Sequence, residues 1–176
     1  MSDDGKEWDA PAFPGGRLDV RTANEANLFV DVQRGAPIDT RIDGDTFQIL
    51  AETPEGRRLF SFWLQGGNPP DAADLGDGTS TALTPLDLVL FGSRVERELP
   101  DPPARTRHHA RRLHLGASAL RQAARFAGDG DALPESAFAG PMGKRMYLDD
   151  PDRFQKAALL AQADRLDALA AQWAAR

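Results

Sequence analysis

Cysteine is absent from this 176-residue sequence, which excludes disulfides, thiolate catalysis and cysteine metal sites. Long apolar runs are absent as well, whereas a transmembrane helix needs about 20 consecutive, mainly apolar residues. The first 16 residues contain no apolar segment of the kind found in secretory signals. From these absences we expect a cytoplasmic protein without membrane contact.

Motifs for catalysis, cofactors and metals are also missing. No serine lies in a nucleophile elbow, and the glycines form neither a phosphate loop nor a dinucleotide loop. His108, His109 and His114 are badly aligned for a shared metal, because two histidines on one helix need a spacing near four residues. The acids of the 71–77 segment do not follow the ligand spacing of an EF-hand. We therefore predict a non-enzyme with no catalytic residues, no metal site and no cofactor.

Acidic and basic residues are divided along the chain. The formal net charge is −6, which disfavours general nucleic-acid binding. Residues 1–104 carry a net charge of −10, and residues 105–176 carry +4. The stretch 104–128 contains all three histidines and six arginines, and no acid. Arginine outnumbers lysine 18 to three, so arginine content alone is weak evidence of function.

The first third of the sequence predicts an antiparallel β-meander of about five strands. Apolar and polar residues alternate over 17–21, 28–33, 38–42, 47–51 and 58–64. Asp43-Gly44 and the segment 53–56 are typical of the turns that connect neighbouring strands.

Apolar residues also fall on the second face of this predicted sheet. They are Phe29, Leu50, Leu59 and Trp63. A sheet with two apolar faces needs a cover on each. We expect the C-terminal helices or a partner subunit to supply the second cover.

The remaining sequence predicts two to three α-helices separated by long loops, so the fold class is α+β. The segment 84–87 is typical of a helix start, although a buried strand over 86–91 is the alternative. Residues 66–83 and 128–149 are predicted loops. The predicted organisation is a flexible or docking arm over 1–16 and a single domain over 17–176, made of a β-meander (17–65), a helix or strand (84–99), a basic helix (105–127) and a C-terminal helix (151–174).

The basic helix is predicted to be amphipathic. Its apolar seam consists of Ala110, Leu113, Ala117, Leu120, Ala124 and Ala127. A second strip, called here the arginine strip, consists of Arg107, Arg111, His114, Ser118, Arg121 and Arg125. The strip has three interpretations: a solvated face, a surface paired with acids of the β-half or of another chain, or a phosphate-binding surface.

A protein-interaction or assembly subunit fits this pattern of a small sheet, anchored loops and helices with more than one packing face. The expected partner is a protein, with a homo-oligomer as one option. The candidate interaction residues are Arg107, Arg111, His114, Arg121, Arg125, Trp63, Leu166, Trp173, Trp8 and Phe13. The alternatives are a nucleic-acid-associated protein that uses the arginine strip, and a small-ligand binder or enzyme without a recognisable motif.

Overall fold

The computed structural model describes residues 8–64, 83–99, 107–138 and 140–174. Backbone contacts group these residues into two compact units, the first reaching to Leu83 and the second starting at Thr84. We describe each unit by itself, so one continuous domain over 17–176 stays a prediction. Apart from Leu83, the predicted loop over 66–83 lies outside the described residues.

A four-stranded mixed sheet is the framework of the first unit. Its strands are β1 (Ala12–Val20), β2 (Ala36–Asp43), β3 (Thr46–Thr53) and β4 (Gly56–Leu64), arranged in the order β1-β4-β3-β2. β2, β3 and β4 are antiparallel neighbours, whereas β1 runs parallel to β4. The predicted five-stranded meander is therefore wrong in its strand count and in the direction of its first strand.

A two-residue turn fixes the register of β2 against β3. Gly44 and Asp45 connect the paired residues Asp43 and Thr46, and Gly44 has a φ of 63°. A positive φ is readily adopted by glycine, because glycine has no Cβ. This turn confirms the prediction from Asp43-Gly44, and the turn predicted over 53–56 is confirmed as well.

Helix α1 (Ala23–Val32) occupies the place of a predicted strand. The Thr22 side chain accepts a hydrogen bond from the Glu25 backbone, and the Glu25 carboxylate accepts one from the backbone just before the helix. Threonine followed three residues later by glutamate is a helix-start signature. An apolar run as short as 28–30 fits a buried strand and a buried helix equally well, and the cap decides for the helix. The predicted strand over 28–33 is therefore wrong.

Aromatic packing joins α1 to one face of the sheet. Phe29 of α1 meets Phe60 and Phe62 of β4 edge-on, with ring centroids 6.4 and 5.9 Å apart. Phe13 of β1 stacks on Phe60 at 4.8 Å, and Ile49 of β3 is completely buried. Phe29 thus covers the inner face of the sheet from a helix, instead of lying on the outer face as predicted. A cover of the outer face by the C-terminal helices stays a prediction.

Helices make up the second unit. They are α2 (Pro85–Arg94), α3 (Arg107–Arg125), α4 (Pro141–Asp149) and α5 (Lys156–Ala174), with two 3₁₀ turns at Glu135–Phe138 and Pro151–Phe154. In α2, Thr84 and Asp87 form a capping box, which confirms the helix over the alternative strand. α3 and α5 confirm the basic helix and the C-terminal helix.

The predicted loop over 128–149 is wrong in its second half, where α4 forms. Pro141 stands in the first turn of this helix, where its missing N–H costs nothing. A Cβ on Gly143 would lie 3.1 Å from the backbone of Phe138, so this glycine permits close packing. Glycine and proline both lower helix propensity, and their number in this segment is what favoured a loop in the sequence. Among the described residues there are five α-helices, more than the two to three expected.

Two glycines allow close contact between the helices of the second unit. A Cβ on Gly92 of α2 would overlap Leu120 and lie 3.0 Å from the carbonyl oxygen of Gly116. A Cβ on Gly116 of α3 would lie 2.6 Å from Val95. The predicted apolar seam is buried at Ala110, Leu113, Ala117, Leu120 and Ala124, whereas its last member, Ala127, lies beyond the end of α3 and is only half-buried.

The chain is α+β overall, as the sequence predicted. None of the helices in the described segments combines the length and the apolarity that crossing a membrane requires.

We expect Gly92→Ala to destabilise the helical unit by about 1–3 kcal/mol, because the added methyl overpacks a closed contact. This change opposes the helix propensity of alanine, which alone would stabilise α2. Urea unfolding followed by the helical circular dichroism signal measures the effect.

The matched control is Ser93→Ala at the next position of α2. The Ser93 hydroxyl is buried and has no hydrogen-bond partner among the described residues, so its removal should not destabilise the unit and should instead stabilise it by about 1 kcal/mol. Equal midpoints for Gly92→Ala and the wild type would contradict the close contact.

Candidate interaction surfaces

Three of the candidate residues are part of the packing within their own units. In α5, Leu166 is completely buried and Trp173 is 6% exposed. The Trp173 ring packs against His109 with centroids 5.4 Å apart. Phe13 lies between Phe29 and Phe60 in the first unit. These contacts give each of the three side chains a role in holding its unit together.

The described end of the predicted arm lies against the sheet. The Arg41 guanidinium lies over the Trp8 ring at 4.2 Å. The carbonyl oxygen of Pro11 accepts a hydrogen bond from the backbone N–H of Leu59 at 2.9 Å. β1 begins at Ala12, so residues 12–16 belong to the sheet. From Trp8 onward, the predicted arm is therefore docked on its own unit.

The centre of the arginine strip faces acids of α5. His114 Nδ1 lies 2.7 Å from Asp167 Oδ1. Arg121 Nη2 lies 2.6 Å from Asp167 and 2.9 Å from Asp164. Ion pairing of the strip is thus present, but α5 of the same chain supplies the acids, and not the β-half or another chain as the sequence-based interpretation had it.

The charge of Arg121 is reinforced by these contacts. Burial alone would lower its pKa, but the hydrogen bonds and charges of Asp164 and Asp167 outweigh burial and raise the pKa of the guanidinium. Arg121 is therefore held as a positive charge between two carboxylates. A phosphate group would have to compete with both carboxylates for this side chain.

The outer members of the strip are exposed at Arg111 and Arg125, and each also has an interaction within the chain. The side chain of Arg107 lies outside the described residues. The described strip is consequently engaged with its own chain along most of its length.

Further ion pairs join the helices of the second unit. Arg112 of α3 contacts Glu98, just after α2, at 2.6 Å. Arg165 of α5 contacts Glu96 at 2.5 Å. The acids at the end of the acidic half thus pair with bases of the basic half. Exposed pairs of this kind each contribute less than about 1 kcal/mol.

The outer face of the sheet, opposite α1, carries a polar network. Arg41 Nε donates to Gln48 Oε1 at 2.7 Å, and Gln48 Nε2 donates to Ser61 Oγ at 3.3 Å. A depression of about 310 Å³ opens beside Gln48 and Ser61. Trp63, farther along β4 on the same face, is 41% exposed. Because these polar groups bind one another, the depression gives the small-ligand alternative no specific support.

The edge strand β2 is a surface that we did not predict. All eight of its residues are exposed. Ile38 is 44% exposed and Ile42 is 74% exposed, so two large apolar side chains of one strand face solvent. The sequence did contain a signal, because Pro37 is the second residue of β2 and proline within a strand is typical of sheet edges.

Among the described residues, no group of three or more histidine, aspartate or glutamate side chains is placed to hold a metal ion. Comparisons with protein-family models, with curated proteins and with solved structures found no match to this chain.

The ion pairs that Arg121 forms with Asp164 and Asp167 should differ in their contribution to stability. In double-mutant cycles with Arg121→Gln, we expect a coupling free energy of about 0.5–1 kcal/mol for Asp167→Asn and below about 0.3 kcal/mol for Asp164→Asn. The reason is exposure, since the Asp167 side chain is 33% exposed and the Asp164 side chain is 78% exposed. Urea unfolding of the single and double variants measures both couplings. A larger coupling to Asp164 would refute this ranking.

Proposed function

We propose that this chain is a non-enzymatic protein-interaction subunit that binds its partner by adding a strand to the β2 edge. The observation that carries the proposal is the exposure of all eight β2 residues. Among them, Ile38 and Ile42 present apolar side chains to solvent. Strand addition supplies main-chain hydrogen bonds and contacts for alternate side chains.

The alternation of hydrogen-bonded and non-hydrogen-bonded pairs along the hairpin decides which backbone groups of β2 a partner can reach. In a two-residue hairpin, the residues that flank the turn exchange hydrogen bonds, and bonded and non-bonded pairs then alternate. Asp43, Arg41 and Asp39 therefore bond to β3, whereas Ile42 and Thr40 direct their N–H and C=O groups away from it. In agreement, the Thr40 N–H donates to the neighbouring Asp39 carboxylate at 2.8 Å.

β2 is the better of the two sheet edges for this purpose. Its pairing with β3 is continuous from Asp39 to Asp43, so its outward groups form a regular row. On the opposite edge, the register of β1 is interrupted between Ala12 and Arg17. Pro37 and the bulge after it protect only the start of β2.

The ion pairs weigh against the nucleic-acid alternative. The centre of the arginine strip pairs with Asp164 and Asp167, and phosphate binding would need these cations to be available. We therefore place the interaction on the sheet edge and not on α3.

The proposal predicts a complex that depends on the β2 edge. In extracts of cells that make the chain, we expect it to migrate above its monomer mass of 19.1 kDa. Ile42→Glu should return it to the monomer size, because a carboxylate replaces an apolar contact at the edge. Native gel filtration of the two extracts, with circular dichroism to check the fold, measures the change.

Leu148→Glu is the matched control, because Leu148 is 77% exposed but lies in α4. This variant should keep the size of the wild type. A wild-type monomer in the extract, or equal behaviour of the two variants, would overturn the proposal.

A further inference from the structure

We infer that the partner is a second copy of this chain, whose β2 pairs antiparallel with β2 of the first copy about a two-fold axis at Thr40. The inference rests on the proposed function, since it names the partner that adds the strand. Two features of β2 support it: the order of its residues, and the direction in which its backbone N–H and C=O groups point.

Charge complementarity is the first argument. With Thr40 opposite Thr40 of the second copy, Asp39 lies opposite Arg41 of that copy, and Arg41 lies opposite its Asp39. Opposite charges on directly facing strand positions stabilise the pairing, and like charges destabilise it. A two-fold axis perpendicular to the sheet keeps each face continuous, so the facing side chains project on the same side.

The directions of the backbone N–H and C=O groups agree with the register that places Thr40 opposite Thr40. Thr40 directs its N–H and C=O away from β3, so Thr40 of each copy meets groups of the same kind and the two residues can exchange hydrogen bonds. Asp39 and Arg41 bond to β3 and therefore form non-bonded pairs across the new interface. Side chains approach more closely in such pairs.

Pairing also releases the Asp39 carboxylate. In the single chain, this carboxylate accepts the Thr40 N–H. Once the Thr40 N–H donates to the second copy, the carboxylate can accept from Arg41 of that copy. Arg41 uses Nε for Gln48, and a guanidinium has five N–H donors in total.

Apolar complementarity is the third argument. The same register brings Ile42 opposite Ile38 of the second copy, and these are the two exposed isoleucines of β2. The bulge at Ile38 ends the regular pairing of β2 with β3, so the backbone hydrogen bonds between the two copies centre on Thr40, and the isoleucines lie at the two ends of the pairing.

The geometry also limits the assembly to two copies. A two-fold interface uses the same surface on both chains and closes on itself. Each chain has one β2 edge in the described sheet, so pairing consumes it and leaves no further β2 edge for a third copy.

Reciprocal charge reversal tests the inference with the full-length chain. Asp39→Arg and Arg41→Asp should each weaken self-association by about tenfold or more, because each change places like charges opposite one another twice in the dimer. An equimolar mixture of the two variants should form a heterodimer, since all facing charges are then opposite. The double variant D39R/R41D should dimerise again. Sedimentation equilibrium over a wide range of concentration measures all four species.

Two controls separate the effect of the facing charges from the effect of a disturbed fold. Asp19→Arg reverses an exposed charge on the opposite edge strand β1 and should leave the dimer unchanged. Arg41→Asp also removes the contact with Trp8, but restored pairing in the mixture would show that this loss is not the cause.

A monomeric wild-type chain, or a mixture that fails to pair, would overturn the second-copy inference. The extract experiment then decides the proposed function separately. A complex that Ile42→Glu disrupts, but that the double variant does not restore, would assign the β2 edge to a different protein and reject self-pairing.

Discussion

The turn at Gly44 and Asp45 is the constraint on which the first unit depends, because it fixes the register of β2 against β3. That register places Thr40 opposite Ile49 and Arg41 opposite Gln48, so it decides which side chains of β2 lie on each face of the sheet. It also sends the N–H and C=O groups of Thr40 away from the sheet. A shift by one residue would exchange the two faces and the two sets of backbone groups. One turn therefore decides both which side chains β2 places on each face and which of its backbone groups point outward.

Several ion pairs form between elements of the helical unit. The sequence places acids before residue 104 and bases after it, which suggested pairing between the two halves. The structure pairs Arg112 with Glu98, from the end of the acidic half, and Arg121 with Asp164 and Asp167, from the basic half itself. The centre of the arginine strip, His114 and Arg121, consequently makes contacts between α3 and α5. The β2 edge, where Asp39 and Arg41 alternate with other residues, therefore has a better geometry for binding a partner than the arginine strip has.

Local signals predicted the elements that they encode directly. The turn at Gly44, the cap at Thr84 and the apolar seam of α3 could all be read from the sequence, because each depends on neighbouring residues. The strand predicted over 28–33 was wrong because a short apolar run fits both a buried strand and a buried helix. The Thr22–Glu25 cap, which favours the helix, was overlooked. The parallel pairing of β1 with β4 could not be predicted, since it depends on contacts between residues distant in sequence. The exposure of Ile42 escaped prediction for the same reason, because strand order alone makes β2 an edge.

Amide hydrogen exchange at Thr40, measured as a function of protein concentration, tests the central claim most directly. In the single chain, the Thr40 N–H is held only by the adjacent Asp39 carboxylate among the described residues, whereas Arg41 is bonded to β3. Pairing of two β2 strands should slow exchange at Thr40 and Ile42 as concentration rises and change Arg41 far less. Exchange at Thr40 that is fast and independent of concentration would contradict the account.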